Sequence, residues 1–237
     1  MPAGWIMQLE LNPDLRMQKL EIGNEKAPLL VIDNFVSQPD ELIRWAASKL
    51  FVNTGRSFPG IRTRAPLTYR KLIQDLQAVL SQFFQVDGRS IQFPMAHYSL
   101  VTTPPSKLDP VQRIPHVDTV YGNGLATVHY LFRGDYGGTA FYRHRRTGFE
   151  YVDEARQEVY FRTLQKEMNG PESPGPEYIN GDTALFEQVA MQEGRFNRML
   201  VYRRNSLHSG CIGKSFVPDP SPVRGRLSIN CFLDVTQ

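Results

Sequence analysis

Leu125-Ala126-Thr127-Val128-His129-Tyr130-Leu131-Phe132, then Arg133-Gly134-Asp135-Tyr136-Gly137-Gly138, then Thr139-Ala140-Phe141-Tyr142-Arg143, is the stretch that decides the fold class. Two runs rich in β-branched and aromatic residues flank a glycine-rich connection, which reads as strand, turn, strand. The same texture recurs on both sides. Upstream lie Ile91-Gln92-Phe93 and His97-Tyr98-Ser99-Leu100-Val101, followed by a proline-containing loop from Thr102 to Pro115. Downstream, Ala184 to Met191, Asn197 to Arg203 and Arg226 to Leu233 are again short and bounded by Gly, Pro, Asn or Asp. Many short strands with turn signals point to a sandwich, a jelly roll or a cupin-like barrel.

The N-terminal third is mixed. Leu29-Leu30-Val31-Ile32 fits a buried strand, and Ser37-Gln38-Pro39-Asp40-Glu41 is a helix start with Ser37 as N-cap. Leu42, Ile43, Trp45, Ala46 and Leu50 then recur at helical spacing up to Phe51, and a second helix is expected from Thr68 to Phe84. These helices are expected to support one side of a sheet. A further amphipathic helix is expected within Asp153 to Met168, ahead of the flexible Gly170-Pro171-Glu172-Ser173-Pro174-Gly175-Pro176. The reading is of one domain, 1–237: a strand and helix support over 1–89, then a β core over 90–237 with an insertion near 147–182. Such an insertion is either a rim over a site or a plain surface excursion.

Composition excludes several classes. Apolar residues make up 41% and charged residues 22%, ordinary globular usage. No stretch approaches the roughly 18 apolar residues of a membrane span, and Met1 to Arg16 lacks the features of a signal peptide. Cys211 and Cys231 read as half-buried thiols in a reducing cytoplasm. A formal charge of +3 is too small to imply nucleic acid, and Arg143-His144-Arg145-Arg146 reads as a solvated turn, or as an attractor for an anionic substrate.

Ile114-Pro115-His116-Val117-Asp118-Thr119 carries the chemistry. In extended backbone, residues two apart share a face, so His116 and Asp118 point inward together. His208, in the turn after the strand Met199-Leu200-Val201-Tyr202, can supply a third ligand. Two imidazoles and one carboxylate on one face leave coordination positions open, the arrangement of non-haem iron(II) oxygenases. The isolated His-x-Asp reads equally as a strand-end histidine bonded to a turn. Arg226 and Ser228 share a face of the last strand, opposite Leu227, Ile229 and Cys231. An inward guanidinium needs an acidic partner: a bound carboxylate, with Ser228 assisting, or a protein carboxylate. Arg224 competes for that role. Among the remaining histidines, His129 reads as core and His144 as part of the exposed turn, while His97 points away from the site if Tyr98 faces it.

Taken together, the run from about Met95 to Asp234 resembles the prolyl-4-hydroxylase-like branch of the Fe(II)/2-oxoglutarate dioxygenases. The residues concerned are Tyr98, His116-Val117-Asp118, His129-Tyr130-Leu131-Phe132 leading to Gly137-Gly138-Thr139-Ala140-Phe141, His208-Ser209-Gly210 and Arg226-Leu227-Ser228. Leu30-Val31-Ile32-Asp33-Asn34-Phe35 resembles the start of such domains. The resemblance implies a mainly β fold with flanking helices, a double-stranded β-helix (jelly roll, cupin-like) core with N-terminal helical support. It implies Fe(II) on His116, Asp118 and His208, with O2 and 2-oxoglutarate as cosubstrates. The far carboxylate of 2-oxoglutarate would rest on Arg226, helped by Ser228 and Tyr98. A small-molecule or peptidyl substrate would be hydroxylated, with release of succinate and CO2. Prolyl hydroxylases generally carry Lys where Arg226 stands, which leaves the subfamily open; the presence of Asp118 disfavours halogenating variants. A cupin-like metal- or ligand-binding protein without oxygenase activity and a zinc hydrolase are the rival readings.

Overall fold

The computed structural model describes residues 7–86 and 90–236. Residues 1–6, part of the segment expected to lack a signal peptide, and residues 87–89, the end of the expected support segment, lie outside the described residues. Over the described residues the chain is mainly β, with four α-helices. Its strands are β1 (Arg16–Ile22), β2 (Ala27–Asp33), β3 (Gly60–Arg64), β4 (Ser90–Val101), β5 (Gly124–Tyr130), β6 (Gly138–His144), β7 (Phe186–Glu193), β8 (Met199–Arg203), β9 (His208–Cys211) and β10 (Leu227–Thr236). They form two antiparallel sheets, a seven-stranded one in the order β1-β2-β8-β5-β10-β4-β3 and a three-stranded one in the order β7-β6-β9. This is the expected jelly-roll arrangement.

The larger sheet is buried on both faces, so the strand period of two sorts its residues into two cores. Leu227, Ile229, Cys231 and Leu233 of β10, with Tyr98 and Leu100 of β4, face the helices α1 (Pro39–Ala47), α2 (Leu67–Asp75) and α3 (Gln77–Phe84). Phe35, Leu42, Tyr69, Leu72, Leu80 and Phe84 fill that layer, each fully buried side chain contributing roughly 1.5–3 kcal/mol. Ala126, Val128, Tyr130 and Phe132 face the other way and pack with Phe141 of β6 and Tyr202 of β8, closing one end of the space between the sheets.

Several local expectations are corrected. Ser37 does not cap α1: its hydroxyl donates to the Leu11 carbonyl (3.3 Å), and Gln38 holds the cap position. That helix stops at Ala47, short of Phe51, because the Ser48 hydroxyl bonds back to the Trp45 carbonyl (2.7 Å). The helix expected over 68–84 is two, tightened at Leu76, whose N–H bonds the Ile73 carbonyl (3.1 Å). β4 continues through Pro94 because the bulge lies there: Phe93 and Pro94 together oppose Leu233 of β10, and β3 pairs only with residues 97–101. The N-terminal segment is more than support, since β1, β2 and β3 all join the large sheet.

The insertion carries α4 (Gln157–Met168), and it is pinned to β6. His144, expected in a solvated turn, is fully buried: Nε2 meets Glu167 Oε2 at 2.7 Å and Nδ1 meets Thr147 Oγ1 at 2.9 Å. Its basic neighbours also have acids, Arg143 with Glu150 and Glu187, Arg145 with Asp182, Arg146 with Glu167. The run therefore anchors the insertion and is not an anion-attracting patch. No helix among the described residues is long and apolar enough to cross a membrane.

Candidate metal centre

The segment after the Thr102–Pro115 loop forms no regular strand, yet it is extended and hydrogen-bonded. His116 and His208 exchange both backbone bonds (N–H to carbonyl, 2.9 and 3.0 Å), and the Asp118 N–H donates to the Arg204 carbonyl (2.8 Å). A directly opposed antiparallel pair puts its side chains on the same side. The two imidazoles consequently sit 4.4 Å apart, centre to centre. His208 opens β9 and does not lie in the turn after β8, a correction with a consequence: the bridge to His116, and not strand-end looping, brings it to the site.

Asp118 reaches between the rings, with Oδ1 3.6 Å from His116 Nε2 and Oδ2 3.7 Å from His208 Nε2. One ligand-type atom from each of the three residues lies within 4.8 Å of the others. His208 Nδ1 is 3.0 Å from the Ser206 carbonyl. A carbonyl only accepts, so Nδ1 carries the hydrogen and Nε2 presents its lone pair to the cluster. Asp118 Oδ2 is buried with no hydrogen-bond partner among the described residues. Such an orphaned oxygen is costly unless something charged occupies the gap, and a divalent cation fits that donor set. His116 lines the cavity and keeps 54% of its side-chain surface accessible there. Its surroundings still hold its pKa down to about 4, through desolvation first, then the nearby His208 and Arg62, with Asp118 opposing. The ring is neutral at neutral pH, as a ligand must be.

These groups open into a cavity of about 410 Å³ between the sheets, which Arg226, Ser228, Thr139, Tyr178 and Arg62 also line. Arg226 is buried, its Nε donating to the Tyr136 carbonyl (2.8 Å) and Nη2 to the Gly138 carbonyl (2.7 Å). Among the described residues it has no carboxylate partner within 4 Å, and burial lowers its pKa. Arg224, its competitor in the sequence, is exposed and paired with Asp219 (2.8 Å). Ser228 sits on the cavity face as expected, donating to Asn230 Oδ1 (2.8 Å). The Gly137-Gly138 turn that receives Arg226 requires its glycines: Gly137 has φ +73°, and a Cβ there would overlap the Cys211 carbonyl oxygen.

Tyr98 is the correction among the site residues. It belongs to the helix-facing core, stacked on Trp45, with its hydroxyl donated to the Leu42 carbonyl (2.9 Å), and it does not line the cavity. Strand parity had two solutions, and the helices took the tyrosine. His129 is the core histidine expected: Asn197 Oδ1 accepts from Nε2 (3.1 Å), and Nδ1 accepts from the Tyr69 hydroxyl (3.1 Å). Sequence reasoning missed Arg62, on the short edge strand β3, and Tyr178, which the insertion brings to the cavity wall with its hydroxyl on the Thr103 carbonyl (2.7 Å). Only the alternation Arg62-Thr63-Arg64 after Gly60 could have flagged the former.

A two-sheet β protein with a His2Asp cluster and an acid-free arginine in one cavity is the class that fold and site define. The chain belongs to DUF6445, a family of unknown function, whose family model matches residues 13–233. No curated protein matches it in sequence. Among solved structures it is similar to a Pseudomonas putida prolyl-4-hydroxylase, at 11% identity and a TM-score of 0.44, covering 94% of this chain and 92% of that one. HygX from Streptomyces hygroscopicus, with nickel and 2-oxoglutarate bound, is similar at 14% identity and a TM-score of 0.48, covering 90% and 84%. SnoN, the non-haem alpha-ketoglutarate-dependent epimerase from nogalamycin biosynthesis, is similar at 11% and 0.44, covering 82% and 69%.

Proposed function

We propose that the chain is a non-haem Fe(II)- and 2-oxoglutarate-dependent dioxygenase that hydroxylates a small-molecule or peptidyl substrate, releasing succinate and CO2. The observation that carries this is the coexistence in one cavity of two unmatched groups, the orphaned Asp118 oxygen between two imidazoles and the acid-free Arg226. His116, Asp118 and His208 would hold Fe(II), and one carboxylate among them leaves net positive charge for a dianionic cosubstrate. Arg226 would grip the far carboxylate of 2-oxoglutarate. Its Nη2 is anchored at Gly138, three residues along β6 from Phe141, which pairs with His208; that is about 10 Å of strand. A small diacid can lie between. Ser228 would turn its hydroxyl from Asn230 to the same carboxylate.

Bound iron, with 2-oxoglutarate and O2, supplies the oxidising power, coupling decarboxylation to hydroxylation of a substrate C–H bond. The chain's own part is positioning and exclusion of water. His208 is fixed by the Ser206 carbonyl, and Tyr202 packs against its ring at 4.7 Å. Tyr178 and Ile212 wall the Arg226 end. A zinc hydrolase would want a second carboxylate as general base, and among the described residues Asp118 is the only acid lining the cavity. A cupin-like binding protein would have Arg226 paired with a protein acid, which it lacks among the described residues.

Anaerobic titration with Fe(II) and 2-oxoglutarate tests the proposal. A weak visible charge-transfer band is expected, with slow uncoupled succinate formation on admitting oxygen. The absence of both sinks it.

A further inference from the structure

The second cation of the cavity has no part in holding metal or cosubstrate in the scheme above. Arg62 is half-buried on β3, and its backbone is fixed on both sides, by Ser99 of β4 and by Val52. Its Nε donates to Ser99 Oγ (3.1 Å), its guanidinium lies over the Phe58 ring at 4.1 Å, and Nη1 meets only the Met95 sulfur at 3.9 Å. Most of its five donors are therefore unspent, in a fork held rigid from behind. Among the described residues no carboxylate pairs with it within 4 Å, although desolvation lowers its pKa. Arg62 lines the same cavity as His116, Asp118 and His208, which places it at the metal centre's side of that space.

Charge bookkeeping then points outward. A divalent metal, Asp118, Arg226, Arg62 and dianionic 2-oxoglutarate leave one positive charge uncompensated in a half-desolvated space. Phe58 lies against the guanidinium, and Pro59, Val101, Val111 and Ile114 add apolar lining to the wall of the same cavity. We infer that the substrate is an organic monoacid with an apolar body, whose carboxylate is held by Arg62 while its hydrocarbon part lies along this wall beside the metal. The inference rests on the oxygenase reading and names the substrate class for that same site. A phosphate would share the guanidinium chemistry, but its heavier hydration suits this wall less well.

The test uses the full chain loaded with Co(II) and saturating 2-oxoglutarate without oxygen, which occupies Arg226. The probes are 3-phenylpropionate and heptanoate, their amides, and inorganic phosphate, read by paramagnetic broadening of the probe's NMR lines. Each acid should bind at least about tenfold more tightly than its amide. Arg62→Gln should erase that preference, leaving amide and 2-oxoglutarate affinities within about twofold, and Arg62→Lys should keep part of it. Acids and amides binding alike, a preference that survives Arg62→Gln, or phosphate binding more tightly than either acid would each overturn the inference. So would a loss of 2-oxoglutarate affinity in Arg62→Gln, which would assign Arg62 to the cosubstrate. Failure of the oxygenase reading is seen separately, as no 2-oxoglutarate-dependent change in the Co(II) spectrum. The acid–amide comparison is then made by saturation transfer on metal-free Arg226→Gln protein, where only Arg62 offers the cation.

Discussion

Replacing Arg226 by Gln separates a cosubstrate anchor from a structural strap. The guanidinium spends Nε and one Nη2 hydrogen on the Tyr136 and Gly138 carbonyls, so its remaining donors face the cavity. Gln can keep one of those backbone bonds, and the abandoned carbonyl costs about 1–3 kcal/mol of stability. At about 2–4 °C per kcal/mol for a chain of this size, the variant melts several degrees lower but still folds. The ligand loses more. One or two charge-assisted bonds to a carboxylate, each worth about 1.5–3 kcal/mol, amount to roughly a hundredfold in Kd. Iron affinity should move by less than about threefold, because His208 lies some 10 Å away along the sheet. The assay is the anaerobic charge-transfer titration, varying iron and 2-oxoglutarate in turn and comparing melting curves. Unchanged 2-oxoglutarate affinity in a folded variant refutes the reasoning and leaves Arg226 as a strap for the Gly137-Gly138 turn.

Asp118→Asn should abolish iron binding and raise the metal-free melting temperature by about 2–4 °C, since an amide N–H can donate to the imidazole lone pair that the carboxylate now faces at 3.7 Å; calorimetry with and without chelator checks it, and a lower metal-free midpoint counts against the arrangement. Tyr98→Phe should cost about 1 kcal/mol through the lost bond to the Leu42 carbonyl while leaving 2-oxoglutarate affinity intact; a large affinity loss would return Tyr98 to the site. His129 is buried neutral, with desolvation holding its pKa at about 4 against the opposing Asn197 bond, below its ordinary 6.5. The unfolded chain therefore binds the extra proton between those values, so stability falls as pH drops from 6.5 towards 4, by roughly 3 kcal/mol at most. Denaturant midpoints of His129→Gln should show a flatter pH profile in that window, and an identical slope would contradict the assignment.

The sequence by itself determined the strand texture of the core, the Gly137-Gly138 turn, and the inward parity of Arg226 and Ser228. These are local properties: side-chain period, backbone freedom at glycine, and the burial preference of Leu227, Ile229 and Cys231 on the opposite face. It also singled out His116, Asp118 and His208 and put the first two on one face, without fixing the pairing that brings His208 to them. The tertiary structure decided what depends on long-range pairing. The backbone bridge between residues 116 and 208 aligns the two rings, and β3 joins β4 only at the sheet edge, carrying Arg62 to the cavity. Tyr98 was lost to the helices because strand period fixes which residues share a face, whereas only packing chooses which face looks at the site.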